Sequence, residues 1–419
     1  MAHYRIRTRR RASFSAAVLL GLGSAAYFAA CSRDRPIAAP LRGLHELESP
    51  AAPGSGEPNL VAGDGRVYLS WIEATADTAH ALRFATITQG RVGQPRTIAA
   101  GNYWFVNWAD FPAMTRLEDG TLAAHWLQRS GPGRYSYDVR VSLSRDEGAT
   151  WSEPVTPHRD GTESEHGFAS LFSIDSNRLG VVWLDGRKYA AAGGNKSLEE
   201  MSLRFTTISS SGVLTEDIAV DARTCDCCQT STALTSKGPI LVYRDRSADE
   251  VRDIYVARFV DGQWTTARPV HNDGWKIDFC PVNGPAVSAR DDQATVAWFT
   301  AADSMQRVML AFSDDAGESF GPAHRVDTGD PVGRVDVQLL EDRSALVSWL
   351  ERVEGGAEVR VRRVLPDGRA SEHATVTRSE SERASGFPHM AVVDEQVVFA
   401  WTLPGSPAQV RVAVAEVNR

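Results

Sequence analysis

The stretch Arg178-Leu179-Gly180-Val181-Val182-Trp183 decides the fold, because it is one copy of a pattern that runs through the whole chain. Branched apolar residues closing on an aromatic one read as a β-strand. The same reading applies to Arg66 to Trp71, Thr121 to Trp126, Pro239 to Tyr243, Ala294 to Trp298, Ala345 to Trp349 and Gln396 to Trp401. The closing residues Trp71, Trp126, Trp183, Tyr243, Trp298, Trp349 and Trp401 lie 51 to 60 residues apart. Spacing this regular marks an internal structural repeat.

A second alternating strand follows each anchor: Leu82 to Ile87, Asp138 to Leu143, Leu203 to Ile208, Ile254 to Phe259, Val308 to Phe312, Val359 to Val364 and Val410 to Val414. Helical periodicity is almost absent, and Lys196 to Leu203 is the best short candidate. A strand unit of about 50 residues cannot bury both its faces alone, so neighbours must stack, and closing the ring removes free edges. The expected architecture is all-β: a seven-bladed β-propeller over residues 58–419, with six blades as the alternative. The last unit stops after its third strand, and Leu41 to Leu47 is placed either to supply the missing outer strand or to serve as linker.

The N-terminus has a different character. Arg5, Arg7, Arg9, Arg10 and Arg11 precede an apolar stretch from Phe14 to Ala30 that ends in small residues, the build of an export signal over residues 1–30. That stretch is shorter than the roughly 20 residues of a membrane span. Phe28-Ala29-Ala30-Cys31 resembles a bacterial lipoprotein cleavage box, which implies an acylated Cys31; an ordinary signal with an incidental cysteine is the other reading. Residues 31–57, rich in Pro, Ala, Gly and Ser, would then be a tether. The expectation is an exported protein held by its N-terminal lipid to the cell envelope, periplasmic or at the outer membrane. Without the signal the chain has 40 basic and 53 acidic side chains, a formal charge of −13, which argues against nucleic acid as a partner.

Two turns carry a more specific signature. Ser144-Arg145-Asp146-Glu147-Gly148-Ala149-Thr150-Trp151 and Ser313-Asp314-Asp315-Ala316-Gly317-Glu318-Ser319-Phe320 resemble the Asp-box hairpins (BNR repeats) of the sialidase superfamily. Asp146 and Asp315 can accept hydrogen bonds within the turn, Gly148 and Gly317 can take positive φ, and Trp151 and Phe320 can pack beneath. The resemblance implies structural turns on the face opposite the ligand. Sialidases also carry a first-blade arginine in an F/Y-R-I-P stretch, two further arginines that clamp a carboxylate, a tyrosine nucleophile paired with a glutamate, and an acid aspartate. Here the first blade opens Gly56-Glu57-Pro58-Asn59-Leu60, without that arginine. From Cys225 onward, C-D-C-C at 225 to 228, Y-R-D-R at 243 to 246, C-P-V-N-G-P at 280 to 285 and S-G-F-P at 385 to 388 resemble a bacterial branch of sialidase-like repeat proteins.

In a propeller, the loops entering the inner strands and those joining the second and third strands open on one face around a central mouth. These loops hold Trp104, Trp108, Asp110, Glu165, His166, Arg334, Asp336 and Arg383, together with Asp185, Arg187, Arg244, Asp245, Arg246 and Glu351. Guanidinium groups hold carboxylate or phosphate bidentately, so an anionic small molecule or acidic glycan is an expected ligand. Alternatively the arginines pair with Asp185, Asp245 and Asp336 to brace the loops. Asp110 and Glu165 are the best-placed carboxylates to flank a glycosidic bond, and His166 could act as a base. Tyr243 reads as a core substitute for the repeat tryptophan, and His125 as a residue within the sheet.

Cys225, Cys227, Cys228 and Cys280 enter two neighbouring blades. In an oxidising compartment the default is two disulfides, with Cys227 or Cys228 joined to Cys280; a thiolate site for Cu(I) or zinc is the rival. The leading functional expectation is a glycan- or anion-binding propeller. The alternatives are a sialidase-type glycoside hydrolase and a cysteine-based copper or zinc protein.

Overall fold

The computed structural model describes residues 37–195 and 198–418. The expected export signal over residues 1–30 and the acylation site at Cys31 lie outside the described residues.

Seven antiparallel sheets follow one another along the chain. Their second strands are Arg66–Ala76, Leu122–Arg129, Arg178–Asp185, Gly238–Arg244, Gln293–Thr300, Ala345–Val353 and Gln396–Leu403. Each pairs with the strand after it, as in Trp183 opposite Arg204 and Trp349 opposite Arg360. The ring closes with residues from both termini: Leu41–Leu47 pairs antiparallel with Gln409–Val417, Leu41 opposite Val417 and Leu47 opposite Val412. The chain thus enters the propeller at Leu41, and the inner strand of blade one is Ser55–Gly63.

All seven anchors are buried, and each fills the seam to the blade before it. Trp71 packs on Val398 and Val412 of blade seven, Trp126 on Leu82 and Phe84 of blade one, and Trp183 on Val139 and Val141 of blade two. Tyr243 packs on Leu184 and Phe205, Trp298 on Ile240 and Val256, Trp349 on Leu310, and Trp401 on Leu346 and Val361. A buried indole still needs an acceptor for its N–H. Glu73, Asp185 and Glu351, two residues beyond their anchors, accept from Trp71 at 3.2 Å, Trp183 at 2.8 Å and Trp349 at 2.6 Å.

The two Asp boxes fold identically. Asp146 Oδ1 accepts from Ser144 Oγ and Thr150 N at 2.8 Å each, and Asp315 Oδ1 accepts from Ser313 Oγ and Ser319 N at the same distance. Gly148 sits at φ +82°, where a Cβ would come within 2.3 Å of Phe84, so the turn also locks blade two onto blade one. Trp151 completes that contact edge-on to Phe84, at 6.0 Å between centroids.

One expectation is corrected. Lys196 and Ser197 of the expected helix lie outside the described residues; among the described ones the α-helix is Arg187–Ala192, and Met201–Ser209, which takes in the end of the expected helix, is the third strand of blade three. Met201, Leu203 and Phe205 alternate inward beside Leu184 and Val182, so sheet burial outweighs the local helical pattern.

Candidate functional site

The mouth holds a cavity of about 690 Å³, offset toward blades two to four. At its floor is Tyr137, the first residue of the third strand of blade two. Its ring stacks face to face on Phe105, 3.9 Å between centroids, so the hydroxyl is aimed by packing. That hydroxyl lies 2.9 Å from Asp110 Oδ2 and 2.8 Å from Glu165 Oε1.

Each member is held from behind. Asp110 Oδ1 accepts from Phe168 N at 2.7 Å, and Phe168 occupies the left-handed region at φ 51° within a bulge of the inner strand of blade three. Such a conformation in a bulky residue costs roughly 1–3 kcal/mol and persists only where the surroundings impose it. Gly167 before it leaves room for the cluster, since a Cβ there would fall 2.0 Å from Asp110 Oδ2 and 2.7 Å from the Tyr137 ring. Glu165 bridges to the Tyr137 backbone.

A phenol has one proton, so it can donate to only one of two carboxylates, and the other must itself be protonated to bond the same oxygen. The electrostatics agree. Burial pushes Asp110 up to about 7 and Glu165 up to about 8. Burial, with both carboxylates alongside, holds the Tyr137 hydroxyl well above its ordinary range. The cluster is therefore a tyrosine with carboxyl groups that change protonation near neutral pH.

Of the residues expected at the mouth, Trp108, Asp110, Glu165 and Arg383 line this cavity. Asp110 and Glu165 do not face each other across a gap, as a pair flanking a glycosidic bond would; they meet at one hydroxyl. Trp104 lies instead in the core of blade two, stacked on Trp126 at 5.5 Å. His166 is buried between blades two and three. Asp336 accepts from Val337 N and Met390 N, at 2.7 and 2.8 Å.

Four of the arginines are engaged internally. Arg244, almost fully buried, donates to the carbonyls of Asn283, Arg252 and Phe299 at 2.6 to 3.0 Å and lies over the Trp275 ring. Arg334 bonds Ser385 Oγ and the carbonyls of Gly386, Ser381 and Glu382, and burial lowers it to about 10. Arg187 is held by Asp185 at 2.7 Å, and Arg246 by Glu250 at 2.9 Å. Arg383 and Arg134 stand exposed at the cavity rim, close to the Trp108 and Tyr135 rings. At the entry of blade one, Glu57 has φ 51°, as Arg334 has φ 53° and Phe168 φ 51° at their own bulges. Burial raises Glu57 to about 7.

Cys227 and Cys280 form a disulfide that lines the cavity wall and joins the entries of blades four and five. Cys225 and Cys228 lie behind it as buried thiols, with their sulfurs 2.9 Å apart. Arg252 reaches Cys225 Sγ at 3.5 Å. Burial alone would raise the Cys225 thiol, but the Cys228 S–H and the Arg252 and Arg244 guanidiniums hold it below the usual thiol range. The disulfide leaves these two sulfurs, rather than four, for copper or zinc. Tyr243 is a core residue, its hydroxyl on Asp221, and His125 is buried within its strand.

Tyr137 is the member of the cluster that the strand pattern did not single out. Its signal is position: a tyrosine opens the third strand of blade two, where other blades place Met201, Ile254 or Arg307.

No family model and no curated protein sequence matches the chain. Among solved structures it is similar to the polysaccharide lyase Uly1, at 10% identity over 87% of this chain and 90% of that one, with a TM-score of 0.51. It is also similar to the endosialidase of phage phi92, at 11% identity over 90% of this chain and 69% of that one, TM-score 0.50. The NanB sialidase of Streptococcus pneumoniae matches at 10% identity over 84% and 83% of the two chains, TM-score 0.46. With its seven blades and closed ring, the chain is a seven-bladed β-propeller, a fold it shares with the Uly1 and phi92 structures.

Proposed function

We propose that this is an exported, lipid-anchored propeller that binds the end of an anionic glycan in the Tyr137 cavity and cleaves it there. The observation that carries the reading is one tyrosine hydroxyl shared by a buried and a half-buried carboxyl group at the floor of a cavity of about 690 Å³. That volume lies within the range of small-molecule sites, and Phe105, Trp108, Tyr135 and Tyr189 supply the aromatic walls on which sugar rings stack. Arg383 and Arg134 are the rim cations left to receive a carboxylate.

Hydrolysis with two carboxyl groups needs one on each side of the scissile bond. Here every proton-transfer group stands on one side, which suits elimination across a uronic acid. Tyr137 takes the proton beside the sugar carboxylate while passing its own to the ionised carboxyl group. The electron pair forms the new C=C bond as the glycosidic C–O bond breaks, and Tyr137 returns a proton to the leaving oxygen on the same face. A carboxyl group poised near neutral pH is matched to that relay. Arg383 would neutralise the sugar carboxylate. The polysaccharide-lyase activity in the name of one fold relative is of the same kind.

The test is to incubate the protein with uronate-containing, sialylated and neutral oligosaccharides and analyse the ends produced. An unsaturated, ultraviolet-absorbing end is expected from uronate substrates, and Tyr137→Phe should lose about 10²–10⁴-fold in rate while binding remains. A saturated product from sialylated substrates would favour sialidase-type hydrolysis instead. Failure to bind any acidic glycan, or an unchanged rate in Tyr137→Phe, would overturn the reading.

A further inference from the structure

A pair of unpartnered buried polar atoms lies between blades two and three, outside the cavity. His158 follows the first Asp box, and His166 opens the inner strand of blade three. Their rings stack, 3.7 Å between centroids and 3° between planes. Both side chains are buried, and on one edge of the pair His158 Nε2 and His166 Nδ1 have no hydrogen-bond partner. One edge of the pair faces Asp138, whose Oδ1 lies 3.8 Å from His158 Nε2 and 3.6 Å from His166 Nδ1. The opposite edge faces Asp160, whose Oδ1 lies 3.5 Å from His158 Nδ1 and 3.2 Å from His166 Nε2.

A buried polar group left unpaired costs roughly 1–3 kcal/mol, so two in one place call for a partner. The spacing says which kind. On the Asp138 edge the nitrogen-to-oxygen distances exceed the roughly 2.7–3.2 Å of an N–H···O bond. They approach the ~3.4 Å that separates two ligands of a tetrahedral ion with bonds of about 2.0–2.2 Å. Asp160 stands where the outer carboxylate of a metal site stands, receiving the far ring nitrogens of ligating histidines. Arg187 lies 3.9 Å from Asp160 Oδ1, so that edge already has a cation close by, whereas the Asp138 edge has none among the described residues.

We infer that Asp138, His158 and His166 bind a divalent transition-metal ion, zinc by the preference of a two-nitrogen, one-oxygen donor set with an open fourth position. A small turn of each ring about its Cβ–Cγ bond aims both nitrogens at one point. Asp138 is the neighbour of Tyr137, and His166 is the neighbour of Glu165. The ion would therefore tie together the two strands that present the cavity floor, without entering the cavity. The inference does not depend on what the cavity binds.

The test uses the full chain with Cys225→Ser and Cys228→Ser, so that the buried thiols cannot take the metal. Zinc titration by calorimetry should show one equivalent bound with a rise in Tm, and cobalt should give the visible absorption of a tetrahedral centre. Asp160→Asn should weaken zinc binding by about 10–100-fold. His158→Gln, its fold checked by circular dichroism, should lose the cobalt spectrum. Absence of zinc binding in the thiol-free protein, or binding and spectrum unchanged in both His158→Gln and Asp138→Asn, would overturn the assignment.

Discussion

The mouth of this propeller buries charge in two different ways on its two sides. On the side of blades four to seven, Arg244 and Arg334 are buried, and each guanidinium is surrounded by backbone carbonyls or a serine hydroxyl. On the side of blades two and three, Asp110 and Tyr137 are buried and Glu165 is half-buried, and three acidic groups compete for one hydrogen-bonding point. A buried cation ringed by fixed carbonyls has its charge compensated in place and acts as a staple. Buried acids that lack cations can only hold protons, and they release them near neutral pH. The arginine side therefore holds the mouth together, and the carboxyl side is where chemistry fits.

That contrast can be broken by exchanging roles. Arg244→Met should have the largest effect, destabilising the fold by about 3–5 kcal/mol because buried carbonyls lose their donor. A denaturant unfolding curve measures it, and an unchanged midpoint together with lost glycan affinity would move Arg244 into the ligand site. Cys280→Ser comes next. The Cys227–Cys280 bond closes a loop with a sequence separation of 53, and its loss should cost about 2–4 kcal/mol. A loss of similar size should follow mild reduction of the unaltered protein. If neither treatment shifts the midpoint, the disulfide is not a staple of this wall.

The smallest effect is a pH dependence. Glu165 and Asp110 titrate higher in the folded protein, at about 8 and about 7, than carboxyl groups in an unfolded chain. The folded state thus binds protons more tightly, and the stability this gives is fully present below the ordinary carboxyl range. It is lost as pH rises through about 7 to about 8. Tm should fall by several degrees from mildly acidic to mildly alkaline buffer, and Glu165→Gln should flatten that slope. An identical slope in the variant would show that the two carboxyl groups do not hold their protons as described.

Much of the site was legible because propeller topology converts sequence position into place. Asp110, Glu165, Trp108 and Arg383 were expected around the mouth and line the cavity. Asp185 and Glu351 were expected in the same loops and instead accept the indole N–H of their own anchors, an interaction visible only as a carboxylate two residues beyond a tryptophan. Whether Arg187 and Arg246 face a ligand or a neighbouring carboxylate could not follow from loop position, since both outcomes have the same sequence. The fold pairs them with Asp185 and Glu250.

The sequence by itself determined the architecture, because seven aromatic anchors at near-equal spacing and two Asp boxes are local patterns with one cooperative solution: stacked blades in a closed ring. Leu41–Leu47 became the closing strand because Gln409–Val417 offered an open edge at the other end of the chain. Only the tertiary structure decided that Tyr137 stands between Asp110 and Glu165, and that Asp138 faces two stacked histidines. The reason is that strand alternation says which face a side chain takes, while partners 20 to 28 residues away in the chain are set by how neighbouring blades are rotated against each other.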